Sequence, residues 1–251
     1  MTPPLAAWGL AGVTGLAVGS YAATAAMRFA RGEAHVRGRS HCDGCGRTLG
    51  FARTLPVVSF LALRGACADC GARIARLHPL GEAAGAAVAL GALWVASDAG
   101  AWRAAPLLAI GFALLAAAVV DLRVRRLPDA LTAVVAVGGA LLAAGRGLPM
   151  LALGALVAVL ATCVLLAIRA LSRRRIGDPG LGLGDVKLIG ALALWLGPAT
   201  PLMVGLAAGL GLAAAALDRS GEPRRPFGPA LALAGWGVGL ALELGWTPWA
   251  P

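Results

Sequence analysis

Apolar residues run along this chain in long blocks separated by short loops rich in arginine. Within a block no stripe of period 3.6 divides an apolar from a polar face, so each block reads as a helix surrounded by apolar material. Most blocks approach the ~20 residues that a helix needs to cross a bilayer. Candidate spans fall at 5–27, 80–97, 104–120, 129–145, 148–170, 186–198, 201–217 and 229–247. The span at 186–198 is the shortest, and Gly197, Pro198 and Pro201 break it from its successor. The pattern predicts an all-α polytopic membrane protein with about eight transmembrane helices and one long polar insertion between the first two. It divides the chain into a first helix at 1–27, a loop at 28–79 and a membrane core at 80–251.

Composition agrees. Of 251 residues 59% are hydrophobic and 14% charged, with mean hydropathy +0.80, which leaves too little polar surface for a soluble domain. A net charge of +10 could point to nucleic acid. The arginines, however, sit in short loops between apolar blocks, where they act as topology signals and contacts to lipid headgroups, so no nucleic-acid partner is expected. With the N-terminus outside, twenty of the 22 Lys and Arg residues fall in inner loops, Arg37, Arg219 and Arg224 among them. Only Arg103 and Arg146 remain outside. The first block has no basic segment before it and no convincing cleavage site, so it reads as a retained span. Gly81/Gly85, Gly205/Gly209 and Gly235/Gly239 have the small-xxx-small spacing of close helix contacts.

The insertion at 28–79 is too polar for lipid and too small to bury a core, so it needs a staple. Cys42 and Cys45 form one C-x-x-C pair and Cys67 and Cys70 another. In each, a glycine (Gly46, Gly71) follows the second cysteine, and an aliphatic residue (Leu49, Ile74) comes three positions later. Such a phrase is a zinc knuckle. A tight turn brings two thiolates to one metal, and the glycine tolerates the left-handed backbone that aims amides at sulfur. Two knuckles complete a tetrahedral four-sulfur site, which is closed and therefore structural. Two disulfides or free thiols are the alternatives, and placement on a reducing cytoplasmic side favours the metal. His41 and His78 are spare donors, and Cys163, in mid-span, reads as a small buried apolar residue.

Ionisable groups at or inside a span are costly and so are candidates for function. Asp121 ends the third span, where a helix C-terminus disfavours negative charge, unless Arg123 or Arg125 neutralises it. Asp185 opens the sixth within Gly182-Leu183-Gly184-Asp185-Val186-Lys187, and Asp129 opens the fourth. Asp129 and Asp185 could each cap a helix. Gly182 and Gly184 go beyond what a cap requires, because they let the backbone approach another chain or a substrate closely. Lys187, the chain's one lysine, is a candidate headgroup anchor, carboxylate partner or substrate contact. Two carboxylates brought together from different helices suit aspartic-protease chemistry, in which one is base to a water and the other acid to the scissile carbonyl.

With these motifs the chain resembles the prepilin peptidases, the bacterial type IV leader peptidases. The likeness covers Gly19-Ser20-Tyr21, Arg28, Arg39 to Cys70, His78-Pro79-Leu80-Gly81-Glu82, Asp121 to Thr132, Gly182 to Gly197 and Pro226-Phe227-Gly228-Pro229. It implies a membrane aspartic endopeptidase of the bacterial inner membrane. Such an enzyme removes the leader of prepilins or pseudopilins after a glycine, at the cytoplasmic face, with Asp121 and Asp185 as its catalytic pair. Members with the four-cysteine domain also methylate the new N-terminal amine from S-adenosylmethionine. Two departures touch that second activity. Ala23 stands where the family usually has asparagine, and Ala52-Arg53-Thr54 stands where it usually has Tyr-Asp-Asn. Glu82 is a candidate for methyl transfer or a cap of the second span. A zinc-stapled assembly scaffold without chemistry is the alternative reading. A transporter would place its carboxylates nearer mid-membrane.

Overall fold

A computed structural model describes residues 3–33, 39–178, 180–217 and 225–246. Arg37, Arg219, Arg224 and the last position of the final expected span lie outside the described residues. The helices are α1 (Leu5–Ala30), α2 (Val58–Ala62), α3 (Leu77–Ala99), α4 (Ala104–Val124), α5 (Asp129–Gly145), α6 (Leu148–Ile176), α7 (Leu183–Leu196), α8 (Thr200–Leu217) and α9 (Gly228–Glu243). Apart from the single turn of α2, these fall on the eight expected spans in order. Among the described residues, extended pairing is confined to two isolated bridges, His41 with Thr48 and Ala66 with Arg73.

Five segments are long and apolar enough to cross a bilayer, and one of them, Leu183–Leu217, is α7 and α8 taken together. The two are separate helices because Gly197 turns to φ 51° and a short 3₁₀ turn follows it. At 14 residues α7 is only ~21 Å long, short of a full hydrocarbon core. It is also the most enclosed helix. Val186, Leu188, Ile189, Leu192, Trp195 and Leu196 are all buried, and α5, α6 and α9 pack around it.

The outer helices show the reverse. In α6 only Gly154 is buried, while Leu156, Val159, Leu160 and Val164 are exposed, as expected where lipid is the neighbour. Cys163 belongs to that exposed surface. The expectation of a protein-buried residue is corrected here, since the apolar surroundings of its helix are lipid and not core.

Glycines set the closest crossing. An added Cβ on Gly19 would meet the Gly81 carbonyl at 2.4 Å, and one on Gly85 would meet the Gly15 carbonyl at 2.3 Å, so α1 and α3 touch backbone to backbone. Gly235 and Gly239 likewise receive Leu192 and Trp195. Gly205 and Gly209 have nothing within 4 Å, and their spacing marks no contact among the described residues.

Candidate active site

Asp121 sits in the last turn of α4 and is only 5% exposed. The helix stops just beyond it because Arg125 adopts a left-handed conformation (φ 54°), with its N–H bonded to the Asp121 carbonyl at 2.9 Å. The buried carboxylate at this negative helix end is met by the positive end of another helix. The Gly228 N–H, in the first turn of α9, donates to Asp121 Oδ2 at 2.7 Å. Gly228 fits because it lacks a side chain, since a Cβ there would lie 2.8 Å from Oδ2 and 3.0 Å from the aspartate Cβ. Arg125 is the cation whose field reaches Asp121. Arg123 instead donates to the Met27 sulfur at 3.6 Å, joining α4 to α1.

Asp185 lies in the first turn of α7, with Gly182 as N-cap. The Asp185 carboxylate folds back over Gly182, where an added Cβ would lie 2.7 Å from Oδ2. The same carboxylate lies within the field of Asp121. Asp121 at the end of α4 and Asp185 at the start of α7 thus lie at the same end of the bundle. Gly184 is explained by packing. Leu127, in the α4–α5 turn, would come within 3.0 Å of a Cβ at that position. Arg169 of α6 donates to the Leu181 carbonyl and fixes the segment leading into α7.

Asp129 is not a cap. Pro128 holds the N-cap position of α5, and Asp129 pairs with Lys187 at 2.7 Å on the exposed surface, joining α5 to α7. Each side chain is more than half exposed, so the pair contributes little to stability.

Four thiols converge in the insertion. The sulfurs of Cys42, Cys45, Cys67 and Cys70 all lie within 4.8 Å of one another, Cys42 and Cys70 at 3.8 Å. A tetrahedral metal with ~2.3 Å bonds to sulfur needs sulfurs about 3.8 Å apart, so the residues present fit the metal. None of the five cysteines is joined in a disulfide in the structure. Each knuckle closes identically. Cys42 N–H bonds to Arg47 O and Gly46 N–H to Cys42 O, while Cys67 N–H bonds to Ala72 O and Gly71 N–H to Cys67 O. Both glycines take φ +71°. Backbone amides of Cys45 and Gly44 hold the Cys42 thiol down at about 7, ready to ligate. Asp69 of the second knuckle accepts from Arg47 and Arg53, and that Arg53 contact keeps its carboxyl below the ordinary range. Neither His41 nor His78 joins the thiol cluster.

Sequence reasoning left Glu82 between two roles, and the cap is excluded. The residue lies more than a turn inside α3, is 7% exposed, and accepts from Ser20 Oγ and Val57 N–H, both at 2.7 Å. It thus ties α1, α3 and the insertion together. Between them is a cleft of about 150 Å³ whose lining includes Arg28, Arg53, His78 and Glu82.

Two residues went unremarked in the sequence. Gly228 carried no signal beyond its place in a motif. Glu243 did carry one, as an acid within an apolar span.

Comparison with known proteins gives two family matches along the chain. Residues 13–96 match the bacterial peptidase A24 N-terminal domain, and residues 107–217 match the type IV leader peptidase family. The chain is 34% identical to an Escherichia coli type 4 prepilin-like proteins leader peptide-processing enzyme, over 78% of this chain and 73% of that one. It is 37% identical to a prepilin leader peptidase/N-methyltransferase of Burkholderia pseudomallei, over 78% and 65% of the two chains. A Neisseria gonorrhoeae protein of the same description is 32% identical over 82% and 72%. No solved structure matches the chain.

Proposed function

Because the chain belongs to the type IV leader peptidase family, we propose that it cleaves prepilins or pseudopilins after the glycine of their leader, with Asp121 and Asp185 as the catalytic pair. What supports this reading is that two acids, one ending α4 and one opening α7, lie at the same end of the bundle with the charge of Asp121 reaching Asp185. Carboxylates held close share a proton. One then takes a proton from water while the other gives its proton to the scissile carbonyl oxygen, and a tetrahedral intermediate forms. Return of a proton to the leaving amine breaks the peptide bond. The Gly228 amide donates to Asp121 Oδ2 and so holds that oxygen in one orientation.

The inner-loop arginines support a cytoplasmic placement of this end and of the knuckles. Gly182 leaves room for the Asp185 carboxylate, and the Lys187–Asp129 pair joins the starts of α5 and α7 beside it. Zinc is the metal that suits four thiolates, and it would hold the insertion folded. The names of the relatives extend the proposal to methylation of the new N-terminus from S-adenosylmethionine. The cleft beside the knuckles, with arginines and a carboxylate in its lining, suits a small molecule bearing both charges.

Cleavage of a co-expressed prepilin tests the peptidase. Asp121→Asn and Asp185→Asn should each abolish processing while the protein remains in the membrane, and Asp129→Asn should process nearly as well as the parent. Full processing by either catalytic variant would overturn the assignment. The mass of the mature substrate tests the second activity, and an N-terminus cleaved but never methylated would refute it.

A further inference from the structure

The end of the bundle away from the aspartates holds a second polar cluster, which the peptide-cleaving chemistry does not use. Its centre is Glu243, the last residue of α9, whose side chain is 0% exposed. Arg103, the N-cap of α4, donates to Glu243 Oε2 at 2.7 Å. The indole N–H of Trp195, near the end of α7, donates to Oε1 at 3.0 Å. Arg146, which follows α5, lies 3.8 Å from Oε1 and also donates to the Trp195 carbonyl.

The helices joined here are the ones that build the candidate active site. α4 runs from Arg103 to Asp121, α7 from Asp185 to Trp195, and α9 from Gly228 to Glu243. One carboxylate thus gathers the far ends of the three helices whose near ends carry the dyad and the amide donor. Burying charges this way is a weak route to stability, because desolvation offsets the attraction, but it fixes one arrangement among those an apolar bundle could adopt.

We propose that Glu243 is a positioning residue for peptide cleavage, acting through α4, α7 and α9 on Asp121, Asp185 and Gly228. The proposal rests on the peptidase reading above. Its lever is geometric. α9 spans ~22 Å between Gly228 and Glu243, so a tilt of about 3° about its Glu243 end moves Gly228 by about 1 Å. Misplacement of that size in a catalytic group costs about 100-fold in rate. Leu192 and Trp195 of α7 seat directly against the α9 backbone at Gly235 and Gly239, so a tilt of α9 is passed to α7.

The experiment uses the full chain in lipid nanodiscs and two readouts. The first is kcat and KM for a prepilin. The second is the Gly228 amide resonance, seen alone by labelling phenylalanine carbonyls with ¹³C and glycine nitrogens with ¹⁵N, because Phe227-Gly228 is the only Phe-Gly pair in the sequence. Glu243→Ala should lower kcat about 10- to 100-fold with KM within about twofold, and shift the Gly228 amide proton upfield as its bond to Asp121 lengthens. A residue that merely helps the protein fold would reduce the amount of active enzyme and leave that shift in place. If Glu243→Ala does not accumulate, Glu243→Gln, which keeps the volume and removes the charge, should show the same two changes. Unchanged kcat, or an unmoved Gly228 signal, overturns the proposal. Asp185→Asn in the same assay separates the two questions. Were it to cleave normally, the peptidase reading would fall, while the amide shift would still report on the clamp.

Discussion

Gly228→Ala makes the sharpest test of how Asp121 is held. The added methyl carbon would stand 2.8 Å from Asp121 Oδ2, 3.0 Å from its Cβ and 3.1 Å from its Cγ. Ordinary carbon–oxygen contact needs about 3.3 Å, so carboxylate and amide must separate by about half an ångström. The bond at stake is short, 2.7 Å, and its acceptor is ionisable and buried. A hydrogen bond to a charged group contributes ~1.5–3 kcal/mol. If that energy is lost from the transition state, kcat falls about 10- to 100-fold, at ~1.4 kcal/mol per decade. The control lies on the same helix. Gly237 is exposed with nothing within 4 Å, so Gly237→Ala should leave cleavage unchanged while improving helix propensity by ~1 kcal/mol. The assay is cleavage of a purified prepilin at saturating substrate, with each variant normalised to folded protein in nanodiscs. A Gly228→Ala enzyme within about twofold of the parent would refute the reasoning, because it would mean the amide does not act on the catalytic carboxylate.

Further predictions concern the supports of the site. Strong chelation should release one zinc per chain and expose the four knuckle thiols to a thiol reagent, beyond the lipid-facing Cys163; four thiols already reactive before chelation would exclude a metal. Metal retention should weaken as pH falls, because protons compete for thiolates; retention indifferent to acid would contradict thiolate ligation. Glu82→Ala should speed hydrogen exchange at the Val57 amide, and Val57→Gly should be neutral or stabilising, since Val57 occupies φ 61° at a cost of ~1–3 kcal/mol; a strongly destabilised Val57→Gly, read by thermal melting, would show that the turn is not strained. Gly85→Val should part α1 from α3 and prevent accumulation, whereas Gly205→Val, facing open space, should accumulate normally by immunoblot.

What the sequence made legible follows from which interactions are local. Spans were readable because lipid demands long apolar runs, and the eight expected ones each contain a helix. The knuckles were readable because each closes within a few residues, so spacing reports the geometry. Asp121 and Asp185 were readable as unusual, but the partner of Asp121, the Gly228 amide of α9, depends on how distant helices pack, and no periodicity encodes that. The glycine pairs make the same point in the other direction. Gly81/Gly85 and Gly205/Gly209 share a spacing, yet only the former meets a partner helix, because contact needs two complementary faces. Cys163 was misplaced for a related reason, since apolar sequence does not distinguish a lipid-facing surface from a protein core. Arg103 and Arg146 stood out as the two cations on the wrong side, and the structure accounts for both through Glu243. In retrospect an intramembrane acid paired with two exceptional arginines was signal enough.

The hydrogen bond from Gly228 to Asp121 also has a consequence for biosynthesis. Donor and acceptor are 107 residues apart in the chain. Both aspartates are made before α9 exists, and at ~5–20 residues per second Gly228 follows Asp121 by about 5–20 s. During that interval the growing protein holds its two acids without the amide that orients the first. Full proteolytic rate should therefore arrive only with α9, and a polypeptide stalled before residue 228 should cleave about 10- to 100-fold more slowly.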